Sequence, residues 1–591
     1  MHLDKTLWLH TLRSVLPLSM TLLLIPCAWQ TRETFFFLGP AMVLSAIRTE
    51  EARAAFLRKR LLRGQKFGFE LNLAQLKQYT RSNAVYLGIG FIWEKEHTEK
   101  LHALLESHGD IAKPMADPNK RGQLFMQELA PNQDLYIPLE FLNGHTLIAG
   151  TTGAGKTRLF DVLIAQAVLR GEAVIILDPK GDRALKEHAQ TIASEQNPND
   201  FLFFHPGFPE ESVGLNPIFN FTRTTELAGR LAQLVPTAKG GNDPFRSFAQ
   251  LTLNVIIGGL FLIGKRPTLK LLRYYADGRV MELGFQAFRS YLEAKTPAKA
   301  REELAALLKS TSKVPGRLLA TYNTFYRKYT PVCPELEALY ALCRHDSTHY
   351  GKMIATLMPL LDTLTSGSLG DLLTPPKEPD FNTRFWDFER VIDQRKVLYI
   401  GLDALTDPMA AGALGSLFLA DLAATAGNRY NYHQGVMTPV NIFVDEAAEI
   451  ANEQLVQLLN KGRGAGFRLF VATQTVPDFE ARLGSPAKAR QVLGNMNNLI
   501  SLRIIDPETC KYCAETLPEV RVRFKTESAQ SAQDSEHLLK VSTSRSESAS
   551  EEKVPLIGAS SFINLPDLEY IARIGAATVY KGRLPFLKLE A

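Results

Sequence analysis

The residues Gly150-Thr151-Thr152-Gly153-Ala154-Gly155-Lys156-Thr157 have the spacing Gly-x-x-x-x-Gly-Lys-Ser/Thr. In such a loop the glycines let backbone N–H groups close around phosphate oxygens at a helix N-terminus. Lys156 is placed to contact the β and γ phosphates of ATP, and Thr157 to ligate Mg2+. A loop of this kind works with a second, acidic site. Val440-Asn441-Ile442-Phe443-Val444-Asp445-Glu446 is an apolar run that ends in two acids. Asp445 would hold the magnesium through water, and Glu446 would polarise the attacking water. The plain alternative is an exposed acidic strand end. Gln474 follows another apolar run, Arg468 to Ala472, and is a candidate γ-phosphate sensor or water-orienting group. Lys461-Gly462-Arg463-Gly464-Ala465-Gly466 sets Arg463 in a glycine-rich turn, either as an arginine finger for a neighbouring subunit's nucleotide or as a solvated surface arginine. Asp178-Pro179-Lys180-Gly181-Asp182 reads equally as a proline-glycine turn and as a contact to nucleotide or DNA.

The elements that must position these groups are legible around them. Thr146 to Ala149 reads as a strand, Arg158 to Arg170 as a buried helix closed by Gly171, and Ala173 to Leu177 as the next strand. Strand, loop, helix, strand is an α/β pattern. It puts the Asp178 turn at the carboxyl end of a sheet, where such folds bind ligands. From Phe245 to about Pro376 the chain is rich in Leu, Ala and Lys, with helical apolar spacing at Ala298 to Lys309, and strands return at Val397 to Leu402. Lys525 to Lys553, rich in Ser, Ala, Gln and Glu, reads as a flexible loop, and Ala576 to Tyr580 as a final strand.

At 591 residues the chain exceeds a single core, while 45% hydrophobic and 22% charged residues are ordinary for a folded soluble protein. The net charge of +5 is misleading, because Met1 to Lys66 carries ten Lys or Arg against four Asp or Glu and leaves the rest near neutral. Overall charge therefore neither supports nor excludes nucleic-acid binding. Five cysteines are too few and too scattered for a disulfide framework, and the Cys510/Cys513 pair reads as ordinary thiols on a helix, the alternative being a zinc or redox site that would need partners such as Cys333, Cys343 and His345. Near the start, Ser14 to Trp29 and Thr34 to Ile47 are uncharged, mostly apolar runs separated by Arg32 and Glu33. Each is shorter than the roughly 20 residues that span a bilayer. Together they suggest a membrane hairpin, and the lysines and arginines on its flanks place both ends in the cytoplasm.

Taken in order, the paired apolar runs, Leu87-Gly88-Ile89-Gly90-Phe91-Ile92-Trp93 with His97 beyond, GTTGAGKT, DPKGD, Leu215-Asn216-Pro217, FVDEAAEI and VATQT carry a family resemblance. The chain resembles, over nearly its whole length, the type IV coupling proteins, the TraD and TraG group of conjugation ATPases within the FtsK and HerA-like branch of RecA-type motors. Two positions depart from that pattern: the Gln30 to Glu33 loop is short, and Ile89 stands where the family usually has arginine. The resemblance implies an α/β RecA-like P-loop domain with an all-α insert, a homo-hexamer around a channel, an inner-membrane location, and delivery of relaxase-bound single-stranded DNA to a type IV secretion channel. The corresponding division is a membrane hairpin at 1–50, a nucleotide-binding domain in two parts at 51–240 and 381–591, and the insert at 241–380. A translocase of double-stranded DNA of the FtsK or HerA type, and a membrane adaptor that uses nucleotide only as a switch, are the alternatives. Glu446 argues against the adaptor, since a switch gains little from a placed base.

Overall fold

The computed structural model describes residues 70–107, 126–127, 129–235, 243–310, 314–376, 384–533, 541–575 and 577–589. The two apolar runs at 14–29 and 34–47 lie outside these residues. The central feature is an eleven-stranded sheet. In chain order its strands are β1 (Ala84–Ile92), β2 (Gln133–Pro138), β3 (Thr146–Ala149), β4 (Ala173–Asp178), β5 (Phe201–Phe204), β6 (Val397–Gly401), β7 (Val440–Val444), β8 (Phe467–Thr473), β9 (Asn498–Ser501), β10 (Glu569–Ile574) and β11 (Thr578–Arg583). Their spatial order is β2-β1-β11-β10-β9-β3-β8-β7-β4-β6-β5. From β9 to β5 all neighbours pair parallel, and from β10 to β2 they pair antiparallel.

The parallel half follows from composition. Strands β3, β4, β7 and β8 are buried along their whole length, as the unbroken apolar runs of a sheet covered on both faces must be. The helix Lys156–Leu169 packs beneath, and the buried Gln166 side chain bonds both the N–H (2.8 Å) and the carbonyl (2.9 Å) of Tyr86, pinning this helix to β1. Two other helices, Pro244–Leu262 and Pro408–Tyr432, are long and apolar enough to cross a membrane by length and composition. Their buried faces, 56% and 78% respectively, instead line the protein core.

Between the short strands Gly214–Leu215 and Phe385–Trp386 every regular element among the described residues is a helix, from Thr224–Ala232 to Gly367–Leu372. Those two short strands pair with each other, Gly214 with Phe385 and Leu215 with Trp386, so the helical excursion leaves and returns at one neck. A Cβ at Gly214 would sit 2.4 Å from the Phe385 ring, which is why this position has no side chain. The neck is tied to the core by Arg230, whose guanidinium reaches Pro217 O (3.0 Å), Asn220 O (2.6 Å) and the buried Asp421 (2.8 Å) of the long helix Pro408–Tyr432.

Composition misleads at Lys525 to Lys553. Instead of a flexible loop, the structure has two antiparallel strands, Glu519–Gln533 and Val541–Pro555, paired in continuous register from Glu519↔Pro555 to Gln533↔Val541. Low hydrophobicity reports the lack of a core to enter, whereas backbone pairing along a ribbon needs only extended residues, which Ser, Thr and Val tolerate. The strand expected at Ala576 to Tyr580 begins at Thr578 and runs on to Arg583, with Phe586–Lys588 beyond it paired to Glu70–Asn72.

Candidate nucleotide-binding site

The loop Gly150 to Gly155 leaves the carboxyl end of β3 and enters the helix Lys156–Leu169. Gly153 and Gly155 have φ of 77° and 114°, a backbone region that glycine alone occupies without strain. Beneath the loop lies a support that no local sequence signal announces. Leu568 donates its N–H to Ala154 O (3.1 Å), and a Cβ at Gly155 would meet the Leu568 side chain at 2.9 Å. Thr151 N–H is held by Arg503 O (2.9 Å), and the Arg503 guanidinium is paired with Asp567 at 2.6 Å. The segment Pro566-Asp567-Leu568 and Arg503, two residues past β9, thus support the loop from below. Thr152 and Gly153 are exposed, Thr151 and Thr157 half-buried, and Ala154 buried.

The strand order explains how the distant motifs meet. Strand β8 lies between β3 and β7, in register with both. Gln474, just past its end, therefore falls between the loop and the acidic pair. It donates to Glu446 Oε1 (2.6 Å), and its own Oε1 accepts from Thr152 Oγ1 (3.2 Å). The buried Lys156 ammonium bonds Gly150 O (2.8 Å) and lies 3.6 Å from Glu446 Oε1. Glu446 has φ 40°, an uncommon conformation for a residue with a side chain, and it is where the chain turns off β7.

A third group converges here. Asp178, at the end of β4, accepts the N–H groups of Lys180 (3.0 Å), Gly181 (3.0 Å) and Asp182 (2.6 Å), and the Tyr399 hydroxyl on its second oxygen (2.7 Å). The turn so fixed brings Lys180 Nζ to 3.4 Å from Glu446 Oε1. The Asp178-to-Asp182 segment is thus both a built turn and part of the constellation, and the sequence had left those two readings open.

The donor set fits a magnesium-bound nucleotide. The Asp445 carboxyl is pushed up to about 7, first by burial and then by the neighbouring Asp178 and Glu446, with Lys156 opposing. Carboxylates crowded at a buried strand end without an equal number of cations form a site that a divalent ion would neutralise.

Arg463 is not brought to this constellation. It is exposed in the turn before β8, at the amino end of the sheet, and so lies the full length of β8 from Gln474. Cys510 and Cys513 are buried on the helix Pro507–Glu515, where burial raises both thiols, to about 11 and about 12. No cluster of metal-ligand residues is found among the described residues.

Comparison with known proteins sorts the two halves of the site separately. The family "Helicase HerA, central domain" matches residues 122–198, which contain the phosphate loop, and "TraM recognition site of TraD and TraG" matches 439–567, from the acidic strand to Asp567. A curated relative, the type 4 coupling protein DotL of Legionella pneumophila, is 23% identical over 497 residues, 76% of this chain and 60% of its own length. The chain therefore spans about three fifths of that relative. Among solved structures, the bacterial conjugative coupling protein TrwB without its first 70 residues is similar at 17% identity and TM-score 0.49, with 88% of this chain and 94% of that one covered. VirB4 of Thermoanaerobacter pseudethanolicus follows at 13% identity and TM-score 0.42, with 80% and 98% covered. A HerA-type segment lies around the phosphate loop, a TraD/TraG segment lies around the acids, and a type 4 coupling protein aligns across both, so the chain is similar to the type IV coupling proteins on each side of this site.

Proposed function

We propose that this chain hydrolyses ATP and uses the energy to move relaxase-bound single-stranded DNA towards a type IV secretion channel at the bacterial inner membrane. The observation that supports hydrolysis best is the convergence at the carboxyl ends of β3, β8 and β7, where Gln474 bridges Thr152 and Glu446 by hydrogen bonds and Lys156 forms an ion pair with Glu446. The loop Gly150 to Thr157 would hold the phosphates, with Thr157 and Asp445 holding Mg2+. The ion would supply neutralisation of developing phosphate charge. Among the described residues Glu446 is the carboxylate that touches both the loop lysine and the glutamine, which suits it to take a proton from water. Lys156 leaves its resting bond to Gly150 O for a phosphate, and Gln474 orients the nucleophile.

Arg463, remote from its own loop, is suited to serve a neighbouring copy, which a homo-hexamer would provide. Residues 1–50 would be the membrane hairpin, 51–240 and 381–591 the motor domain, and 241–380 its all-α insert. The region 439–567 would also carry a recognition surface for a partner of the TraM kind, since that is what the matching family is named for.

The test is the steady-state ATPase rate with and without single-stranded DNA for wild type, Glu446→Gln and Lys156→Ala. DNA stimulation is expected in wild type. A loss of roughly 10²-fold or more is expected for Glu446→Gln, the usual scale for a general base. A slow rate indifferent to DNA and to Glu446→Gln would instead make the protein a nucleotide-switched adaptor.

A further inference from the structure

At the amino end of the parallel strands, opposite the phosphate loop, lies an open cleft of about 470 Å³. Arg81, Arg170 and Arg395 line it together with Ser82 and Thr438. The acid of the lining, Glu172, is already committed: it accepts from Arg170 (2.8 Å), from Asn441 (3.0 Å) and from Arg468 (2.8 Å). These bonds, reinforcing one another against its burial, hold the Glu172 carboxyl below the usual carboxylate range. The cleft therefore keeps an excess of positive charge.

The three guanidinium groups are unequally satisfied. The Arg170 side chain is only 7% exposed, and its Nε and Nη1 have no hydrogen-bond partner, Nη2 alone reaching Glu172. Arg395 is exposed at a left-handed turn (φ 54°), with Nη1 3.6 Å from where a Cβ on Gly171 would be, and so lies over the residue that follows Arg170. Arg81 rests its guanidinium plane on the Tyr136 ring, 3.5 Å from the centroid. Stacking fixes the plane of an arginine while leaving its N–H edge free to donate. Three planar forks lining one cleft, that of Arg170 with unmet donors, and hydroxyls on its rim match the oxygens of a tetrahedral anion.

We infer that this cleft is a second phosphate site, separate from the nucleotide loop, which binds a phosphate group either free or on a nucleic-acid strand. The site does not depend on ATP hydrolysis. Its test uses the full chain carrying Lys156→Ala, so that the loop does not dominate phosphate binding, with and without Arg81→Ala and Arg395→Ala together. Both substituted arginines are exposed, and the same pair in the otherwise wild-type chain is expected to leave basal ATP turnover unchanged, which checks folding. Inorganic phosphate and a dT oligonucleotide are titrated at constant ionic strength. The expected result is at least a tenfold weakening for one of the two probes. Loss of phosphate binding identifies a free-phosphate site, and loss of oligonucleotide binding alone, with a shallower salt dependence, identifies a strand contact. Unchanged affinity for both probes overturns the assignment.

Discussion

Glu446 Oε1 receives Gln474, Lys156 and Lys180 at once. One carboxylate oxygen thus holds one hydrogen bond, from Gln474, and two ion pairs, with Lys156 and Lys180. That Lys156, Glu446 and Gln474 come together was expected from sequence, because each ends or follows an apolar run in a motif of phosphate-binding type. Lys180 stood in a segment whose residues admitted two readings, and Arg503 and Asp567 stood in none, because only the folded sheet brings them to the loop. Another residue that sequence gives no reason to notice is His145, buried just before β3. Its Nε2 faces Leu459 O (3.0 Å), and its Nδ1 accepts the N–H of Leu469 (3.2 Å), which defines the neutral tautomer. Burial lowers it to about 4 against an ordinary 6.5. Because the folded value lies below the unfolded one, the neutral ring stabilises the fold above about pH 6.5, and that contribution is lost as the pH falls towards 4. Denaturant midpoints at pH 7 and pH 4.5 should differ less for His145→Asn than for wild type, by on the order of 2 kcal/mol. An identical pH dependence in the two proteins would remove His145 from the account.

Elements placed by an apolar run were found where the run lies, because β4, β7 and β8 are buried on both faces and are apolar except where a buried partner satisfies a polar side chain, as Glu172 does for Asn441 and Arg468. The antiparallel half obeys a different rule. Buried Lys581 on β11 bonds Glu569 Oε2 on β10 (2.7 Å) and Gln127 Oε1 (2.7 Å), and Arg583 reaches Glu569 Oε1 (2.5 Å). A lysine and a glutamate of zero exposure inside a strand pair contradict the usual apolar pattern, so this hairpin's facing side is not legible from hydrophobicity. Removing one partner leaves the other charge buried alone. Glu569→Gln should therefore cost about 3–5 kcal/mol in equilibrium unfolding, with the double change Glu569→Gln, Lys581→Met recovering part of it. At the phosphate loop, Gly155→Ala combines a left-handed backbone with the approach to Leu568, and a loss of about 1–3 kcal/mol is expected. Leu568→Ala in the same chain would relieve the side-chain clash but not the backbone strain.

At the scale of the molecule, the sequence showed that helices interrupt a sheet but not where the sheet closes. The neck pairing of Gly214–Leu215 with Phe385–Trp386 has no periodicity to announce it, being two residues on each side. Nor does the sequence show that β1 near one end pairs with β11 near the other, through Tyr580↔Ile92 to Arg583↔Ile89. That pairing bears on synthesis. Strand β3 and its phosphate loop leave the ribosome early, yet Leu568, which backs the loop, and β11, which covers β1, follow more than 400 residues later. At about 5–20 residues per second, that gap lasts roughly 20 to 80 seconds. Throughout it the nascent chain holds a loop with no floor and a strand with an open edge, so nucleotide cannot stabilise a partly made protein. Ribosome-stalled chains ending before Asp567 should be protease-sensitive at β1 and gain no protection from ATP, whereas chains extended past Arg583 and the exit tunnel should gain both together.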